Sequence, residues 1–434
     1  MLPGAGGPRK GEGSPAGDPS PQAPATIDSV GCAMSGPQIT VLVTLTGRDR
    51  PGVTSRLFTV LSVHDVTVLD VEQVVIRGRL VLGVLLACSS SPDLTAIHQH
   101  VTSLAADMGM DAEITLGSGE PPPRGRGQLH VTVLGQPLLP AVIAAIAGRI
   151  AASGANIDRN GRLADRPVTC IEFDVTGADP RGLRNALAQG SVELGVDIAV
   201  QRGGLHRRAM RLVVMDVDST LLQDEAIELL AARAGCAAEV GHLTSAAMHG
   251  DIEFAEALQQ RVALLAGLEA TVLDELLDGL RLTPGARTLV RTLKRLGYRC
   301  GVVSGGFTQF TDRLTELLGL DYAKANTLEI VDGKLTGRVL GPIVDRAGKA
   351  AALREFAAQA GVPLSQAVAV GDGANDLPML NLAGMGIAFR AKPLVRKSAD
   401  HSLTHLGLDG LLYLIGVRDR DLVGMEHSGA AAWV

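Results

Sequence analysis

Short apolar runs and longer stretches of helical periodicity alternate along this chain, and their order divides it before any single residue is considered. The pattern begins at Ile39-Thr40-Val41-Leu42-Val43. From 38 to 117 it predicts strands over 39–46, 66–74, 79–87 and 111–116, with helices over 52–63 and 92–107. From 128 to 203 the same order returns, with strands over 129–134, 156–162, 168–175 and 196–201 and helices over 138–153 and 180–194. This is a β-α-β-β-α-β unit used twice. Between the units, Gly117-Ser118-Gly119-Glu120-Pro121-Pro122-Pro123 reads as an extended, partly stiff spacer. From 211 to 420 the runs 211–216, 299–303, 367–371 and 385–389 alternate with helical stretches, the rhythm of a doubly wound α/β domain. Residues 224–281 interrupt it with helical periodicity, predicting a cap inserted just after the first strand. Val331-Asp332-Gly333-Lys334 is a hairpin signal.

Composition adjusts the ends of this picture. Residues 1–37 are rich in Pro, Gly, Ala and Ser, cannot bury enough apolar surface to offset ordering entropy, and are expected to be disordered. Met34, just before the first run, is an alternative start. The tail 421–434 is expected to be mobile. The chain of 434 residues is 46% apolar and has room for two or three domains. A net charge of −6 and 3% aromatics disfavour nucleic acid as a partner. Cys32, Cys88, Cys170, Cys236 and Cys300 are scattered and never spaced C-x-x-C, which argues against a disulfide framework or structural zinc and for reduced thiols in the cytoplasm. No apolar stretch is long enough to predict a membrane span.

The chemistry concentrates at predicted strand ends. Leu212-Val213-Val214-Met215 runs into Asp216-Val217-Asp218-Ser219-Thr220. Aspartates two apart on a strand share a face, so both reach one pocket. One can attack phosphorus while the other handles a proton. Ser304-Gly305-Gly306 ends a second strand, Gly371-Asp372-Gly373-Ala374-Asn375-Asp376 a third, and Lys349 opens a helix. Ligands of such sheets bind at the carboxyl edge, where these segments can meet. Ser304 and the N–H groups of Gly305 and Gly306 suit phosphoryl oxygens, Lys349 supplies a compact positive charge, and Asp216 with Asp372 offers hard oxygen ligands to Mg²⁺.

These four segments, in this order, resemble the haloacid dehalogenase superfamily of phosphatases over residues 211–420. The resemblance implies that Asp216 is the nucleophile and that Asp218 is the general acid, then the general base. Asp218 must then carry its proton at neutral pH in the first step. It also implies that Mg²⁺ is held by Asp216, the backbone carbonyl of Asp218 and Asp372. Ser304, Gly305, Lys349 and Asn375 would contact phosphate, with Asp376 supporting them from behind. Within the superfamily, Glu225, Met248, Phe254 and Arg261 fall at cap spacings similar to those of phosphoserine phosphatases. That implies O-phosphoserine as substrate, with Glu225 facing its ammonium, Arg261 its carboxylate, and Met248 and Phe254 excluding water. Another small phosphomonoester, or an amino-acid-sensing regulator with a vestigial catalytic domain, stays open.

The first N-terminal repeat carries Gly47-Arg48-Asp49-Arg50-Pro51-Gly52 between strand and helix and resembles the ACT domain, a small ferredoxin-like ligand-binding module. The resemblance implies an effector such as serine at Gly47 and Asp49 and, at the matching place of the second repeat, Gly135, together with a homodimer. The second repeat keeps Gly135 but follows it with Gln136-Pro137-Leu138, departing from that pattern. Scaffold and sensor both remain open for the pair.

Overall fold

The computed structural model describes residues 39–88, 94–118, 128–164, 168–204, 209–249 and 251–422. The leader with Met34, the proline run of the spacer and the end of the tail lie outside them. The chain forms two compact units, one up to Pro123 and one from Arg124 onward.

The first unit is one antiparallel sheet with two helices on one face. Its strands are β1 (Ile39–Arg48), β2 (Val66–Ile76), β3 (Arg79–Cys88) and β4 (Asp111–Ser118), in the order β2-β3-β1-β4. Period-two alternation turns Val41, Val43 and Leu45 inward with Leu80, Leu82, Val84 and Leu86. The helices Val53–Leu61 and Leu94–Met108 cover them with Leu57, Leu61, Ile97 and Val101. Truncating one such leucine to alanine would cost roughly 2–5 kcal/mol. Gly52, at φ 92°, makes the left-handed turn into the first helix. The face away from the helices carries Leu42, Val74 and Val81, all exposed.

The second unit begins with the repeat of this fold. Strands β5 (Leu129–Gly135), β6 (Asn156–Ala164), β7 (Thr169–Thr176) and β8 (Asp197–Arg202) lie in the order β6-β7-β5-β8, the same permutation as before. Helices Pro140–Ala152 and Pro180–Leu194 cover one face. The opposite face is not open. Leu134, Cys170 and Ala199 join Met210, Leu411, Leu412, Tyr413 and Leu414 in one continuous core, so this repeat is fused to the α/β domain that follows.

That domain is built on a seven-stranded sheet of β9 (Leu212–Met215), β10 (Arg299–Phe307), β11 (Tyr322–Val331), β12 (Lys334–Leu340), β13 (Ala367–Gly371), β14 (Met385–Phe389) and β15 (His401–Leu403), ordered β12-β11-β10-β9-β13-β14-β15. All neighbours are parallel except the β11–β12 hairpin. Fully buried β9 lies between β10 and β13, so the chain order reverses beside it, the position at which doubly wound sheets open a crevice. Helices Ala286–Arg295 and Thr308–Leu318 pack on one side, with Leu289, Leu293 and Leu314 in the core. Helix Arg346–Ala360 packs on the other, with Leu353 and Phe356.

Four cap helices, Ala226–Ala234, Ala237–His249, Phe254–Ala263 and Thr271–Asp278, interrupt the domain after β9. Leu230, Val240, Leu258, Val262 and Leu273 form their own core, which extends onto Phe307 and Phe310. The cap is tied to the sheet domain by two strands of chain that pair with each other: Thr283 N–H donates to Leu221 O and Gln223 N–H to Arg281 O, both at 2.9 Å. Among the described residues no helix is long and apolar enough to cross a membrane.

Candidate active site

Central strand β9 delivers Asp216 to the carboxyl edge of the sheet. Its backbone N–H donates to Val370 O at 2.9 Å, which locks the residue against β13. Its side chain is buried, with Oδ1 accepting from the N–H of Val217 at 2.8 Å and Oδ2 lying 2.8 Å from Lys349 Nζ. The chain then makes a single π-helical turn over Val217–Leu221, in which Ser219 takes a left-handed φ of 55°. That turn points Asp218 and Thr220 back into the crevice while the chain leaves for the cap.

Lys349 is held by the helix that Asp345 caps: Asp345 Oδ1 accepts from Gly348 N–H at 2.7 Å. Lys349 Nζ, only 2% exposed, bridges Asp216 and Asp376, donating to Asp376 Oδ1 at 2.7 Å. Burial by itself would lower the pKa of this ammonium, but the two carboxylates outweigh it and raise it, so Lys349 stays charged. One positive charge does not balance both acids. Burial, and after it the charge of Asp376, pushes the Asp216 carboxyl well above the usual carboxylate range. Burial and Asp376 likewise push Asp372 up to about 6, although Thr220 Oγ1 donates to Asp372 Oδ1 at 3.1 Å.

The carboxylate oxygens of Asp216, Asp372 and Asp376 lie within 4.8 Å of one another. Such crowded, desolvated acids suit a small hard dication, which would restore ionisation to all of them. Asp376 thus comes closer to this cluster than a residue supporting from behind. Both of its oxygens are engaged, however, one by Lys349 and one by Gly373 N–H at 3.0 Å.

Asp218 faces the other side of the crevice. Its Oδ2 accepts from Ser304 Oγ and its Oδ1 from Ala226 N–H, each at 2.8 Å. Ser304 Oγ in turn accepts from Gly306 N–H at 2.7 Å. A Cβ at Gly306 would lie 2.9 Å from both Asp218 Oδ2 and Ser304 Oγ, so the second glycine of the Ser-Gly-Gly run is needed for this contact. Gly305 meets the cap, since a Cβ there would lie 3.0 Å from Phe254 Cζ.

The remaining cap residues fall as follows. Glu225 ends the linker into the cap and accepts from Ser219 Oγ at 2.8 Å. Burial, and then Asp218, raise its pKa to about 7. Arg261 is buried, with Nε donating to Ala257 O at 3.2 Å and Nη1 to Thr244 Oγ1 at 3.3 Å. Burial lowers its pKa, opposed by Glu225 and Asp218, whose charges it therefore senses across the crevice. Met248 belongs to helix Ala237–His249, but its side chain lies outside the described residues. Asn375 is half-buried, its Oδ1 lying over Gly373.

Two residues matter here that the motif reading passed over. Asn326, 1% exposed, donates from Nδ2 to Gly305 O at 2.8 Å and accepts at Oδ1 from Val344 N–H at 2.7 Å. It splints the Ser-Gly-Gly loop to the segment leading into the Lys349 helix. Its signal was available: an asparagine within the strand pattern of β11. Ser219 orients Glu225, and only its left-handed backbone distinguishes it.

In the first unit, Asp49 lines a cavity of about 370 Å³ with Arg50, Pro51, Gly52 and Gln73. Gly47 is needed elsewhere, because a Cβ there would lie 2.7 Å from Met110 Cγ. In the second unit, a Cβ at Gly135 would lie 3.1 Å from both Leu138 and Val196, whose side chains crowd that turn.

Three family models match the chain: haloacid dehalogenase-like hydrolase over residues 213–381, and ACT domain over 39–115 and again over 129–201. A phosphoserine phosphatase of Streptomyces coelicolor is 60% identical over 378 residues, covering 87% of this chain and 92% of that protein. One from Mycobacterium tuberculosis is 53% identical over 385 residues, covering 88% and 94%. Among solved structures, a probable phosphoserine phosphatase from Vibrio cholerae superposes with a TM-score of 0.54 at 33% identity, over 69% of this chain and 89% of that one. A haloacid dehalogenase family hydrolase from Salmonella enterica serovar Typhi gives 0.59 at 28% identity, over 66% and 99%. With two ACT domains ahead of a capped hydrolase domain, the chain belongs to the phosphoserine phosphatases of the haloacid dehalogenase-like hydrolases.

Proposed function

We propose that the chain hydrolyses O-phospho-L-serine to L-serine and phosphate, the closing reaction of serine synthesis, in two steps through an aspartyl-phosphate on Asp216. The observation that carries this reading is the pairing of Asp216 with Lys349 on one wall of the crevice and of Asp218 with Ser304 on the other. An oxygen of Asp216 attacks phosphorus. The bond from phosphorus to the serine oxygen breaks, and Asp218 gives that oxygen its proton. Asp218, now a base, takes a proton from water, whose oxygen attacks phosphorus and releases phosphate and the regenerated Asp216. Lys349 keeps the nucleophile oriented and offsets charge on the phosphoryl oxygens, while Ser304 and the N–H groups of its loop hydrogen-bond them.

Asp216, Asp372 and, by the family resemblance, the backbone carbonyl of Asp218 would hold Mg²⁺, with Asp376 beside them, and the ion would supply positive charge against the phosphate. Glu225 and Arg261 would take the substrate's ammonium and carboxylate, a guanidinium fork suiting the latter. Phe254 would keep water from the phosphate. The test is phosphate release from a panel of small phosphomonoesters with Mg²⁺ and with EDTA. Metal-dependent preference for O-phosphoserine supports the reading. Broad activity would return the substrate, and the roles of Glu225 and Arg261, to another phosphomonoester.

We infer further that the first ACT domain takes a small amino acid such as serine in the cavity beside Asp49. It also favours a homodimer, because exposed edge strand β2 carries Val68, Val71, Val74 and Ile76. Serine titration followed by calorimetry and by sedimentation tests both; no heat and a concentration-independent monomer would dismiss them. A cytoplasmic location is the reading that reduced, buried Cys88, Cys170 and Cys300 favour.

A further inference from the structure

The second ACT domain is joined to the root of the cap by hydrogen bonds at the two ends of one short chain segment, 404–408. Asp197, the first residue of β8, is 1% exposed. Its Oδ1 accepts from the N–H of Thr404 at 2.7 Å and its Oδ2 from the N–H of His405 at 3.0 Å. Both donors belong to the loop that follows β15, the edge strand of the hydrolase sheet. Two further contacts grip the same region: Arg184 Nη1 lies 3.3 Å from Asp400 Oδ1, and Gln201 Nε2 donates to Leu414 O at 3.0 Å.

The gripped loop touches the root of the cap. Leu408 N–H donates to Pro284 O at 2.8 Å. Gly285 is packed so closely on Asp409 that a Cβ there would lie 2.2 Å from Asp409 Oδ1. Pro284 follows directly on Thr283, whose N–H donates to Leu221 O in the paired linkers. Leu282 bridges Leu222 in the same pair and accepts from Gln223 Nε2 at 2.8 Å. These linkers are the only two covalent joins of the cap to the sheet domain, so any opening of the cap must bend them.

A buried carboxylate bonded to two amides is costly to leave unpaired, so the loop's position follows the ACT domain's. We propose that Asp197 is a positioning residue for the phosphatase: by fixing the loop Thr404–Leu408 against Pro284, it sets the resting angle of the cap linkers. The second ACT domain thereby controls closure over the substrate, although none of its described residues is among the groups placed in the crevice above. A shift of β8 would be transmitted through two amides and one carbonyl to the hinge.

The experiment uses the full chain, wild type and the variants Asp197→Ala and Asp197→Asn, with amide hydrogen exchange read by peptide without substrate. The alanine variant is expected to exchange about tenfold faster in the linkers 221–225 and 279–284, as befits loss of a charge-assisted hydrogen-bond pair, with β13 unchanged. The asparagine variant keeps the packing and one acceptor oxygen, and should show a smaller acceleration in the same peptides. Unchanged linker exchange with faster exchange at 404–408 would overturn the proposal. Acceleration that includes β13 would also overturn it, since Asp197 would then serve overall stability.

The kinetic arm rests on the phosphoserine reading. KM for O-phosphoserine should rise several-fold in Asp197→Ala, while turnover of p-nitrophenyl phosphate, whose leaving group carries neither ammonium nor carboxylate for the cap to grip, stays near wild type. Equal loss on both substrates would overturn cap control. A wild-type chain inert toward O-phosphoserine would defeat the substrate reading alone and leave the exchange result standing.

Discussion

Asp218 accepts a hydrogen bond from the backbone N–H of Ala226 at 2.8 Å, so the proposed acid/base is bonded directly to the first residue of the cap. Its other oxygen is held by Ser304. The rotamer of the proton donor is therefore set by both the sheet domain and the cap, and chemistry and closure are coupled at one carboxylate.

Asp216→Asn should abolish turnover, with kcat lower by about four orders of magnitude or more, and leave the fold intact. An acid-quenched single turnover with labelled phosphoserine should leave label on the wild-type chain and none on the variant. Near-normal turnover would remove Asp216 from the role of nucleophile.

Lys349→Met should both inactivate and destabilise. It leaves Asp216 and Asp376 buried side by side without their shared cation, and breaking such an arrangement typically costs about 3–5 kcal/mol. Urea unfolding at neutral pH without Mg²⁺ measures this directly, and a midpoint within error of wild type would contradict it.

Glu225 makes a signed pH prediction. Its folded pKa of about 7 lies above its ordinary 4.5, so between those values the folded state binds more protons than the unfolded state. Stability of the metal-free enzyme must then fall as pH rises through this window. Asp372, pushed up to about 6, adds to the fall at its acid end. Urea midpoints measured across the window should decline in the wild type and decline less in Glu225→Gln. A steeper decline in the variant would be the wrong sign.

Arg261→Lys keeps the charge but loses the fork that matches a carboxylate. KM for O-phosphoserine should rise about tenfold or more, while phosphoethanolamine, which lacks the carboxylate, should be handled as before. Steady-state kinetics on both substrates decide it; equal effects would detach Arg261 from the carboxylate.

Gly306→Ala would press a methyl group against Asp218 and Ser304 at 2.9 Å. Displacing either by about an ångström should lower kcat roughly a hundredfold, with a modest stability cost. Thermal unfolding and kcat measured on the same preparation separate the two effects, and an unimpaired kcat would show that this contact is not needed.

The strands and helices, their duplication and the residues that meet at the sheet edge were legible in the chain alone. Those features are local: a period of two or of 3.6 marks an element, Asp216 and Asp372 follow directly on β9 and β13, and Ser304 lies in the last half of β10. What each apolar face packs against was settled in three dimensions. The sheets of the two ACT domains have the same strand order, yet Leu42 and Val81 of the first are exposed while Leu134 and Ala199 of the second are sealed into the hydrolase core. Alternation reports that a face is apolar, not which distant segment will cover it. The same holds for polar groups. Asn326 reaches Gly305 and Val344, and Asp197 reaches Thr404 some 207 positions away, because burial left each with a hydrogen-bonding need that only residues remote in sequence were placed to meet.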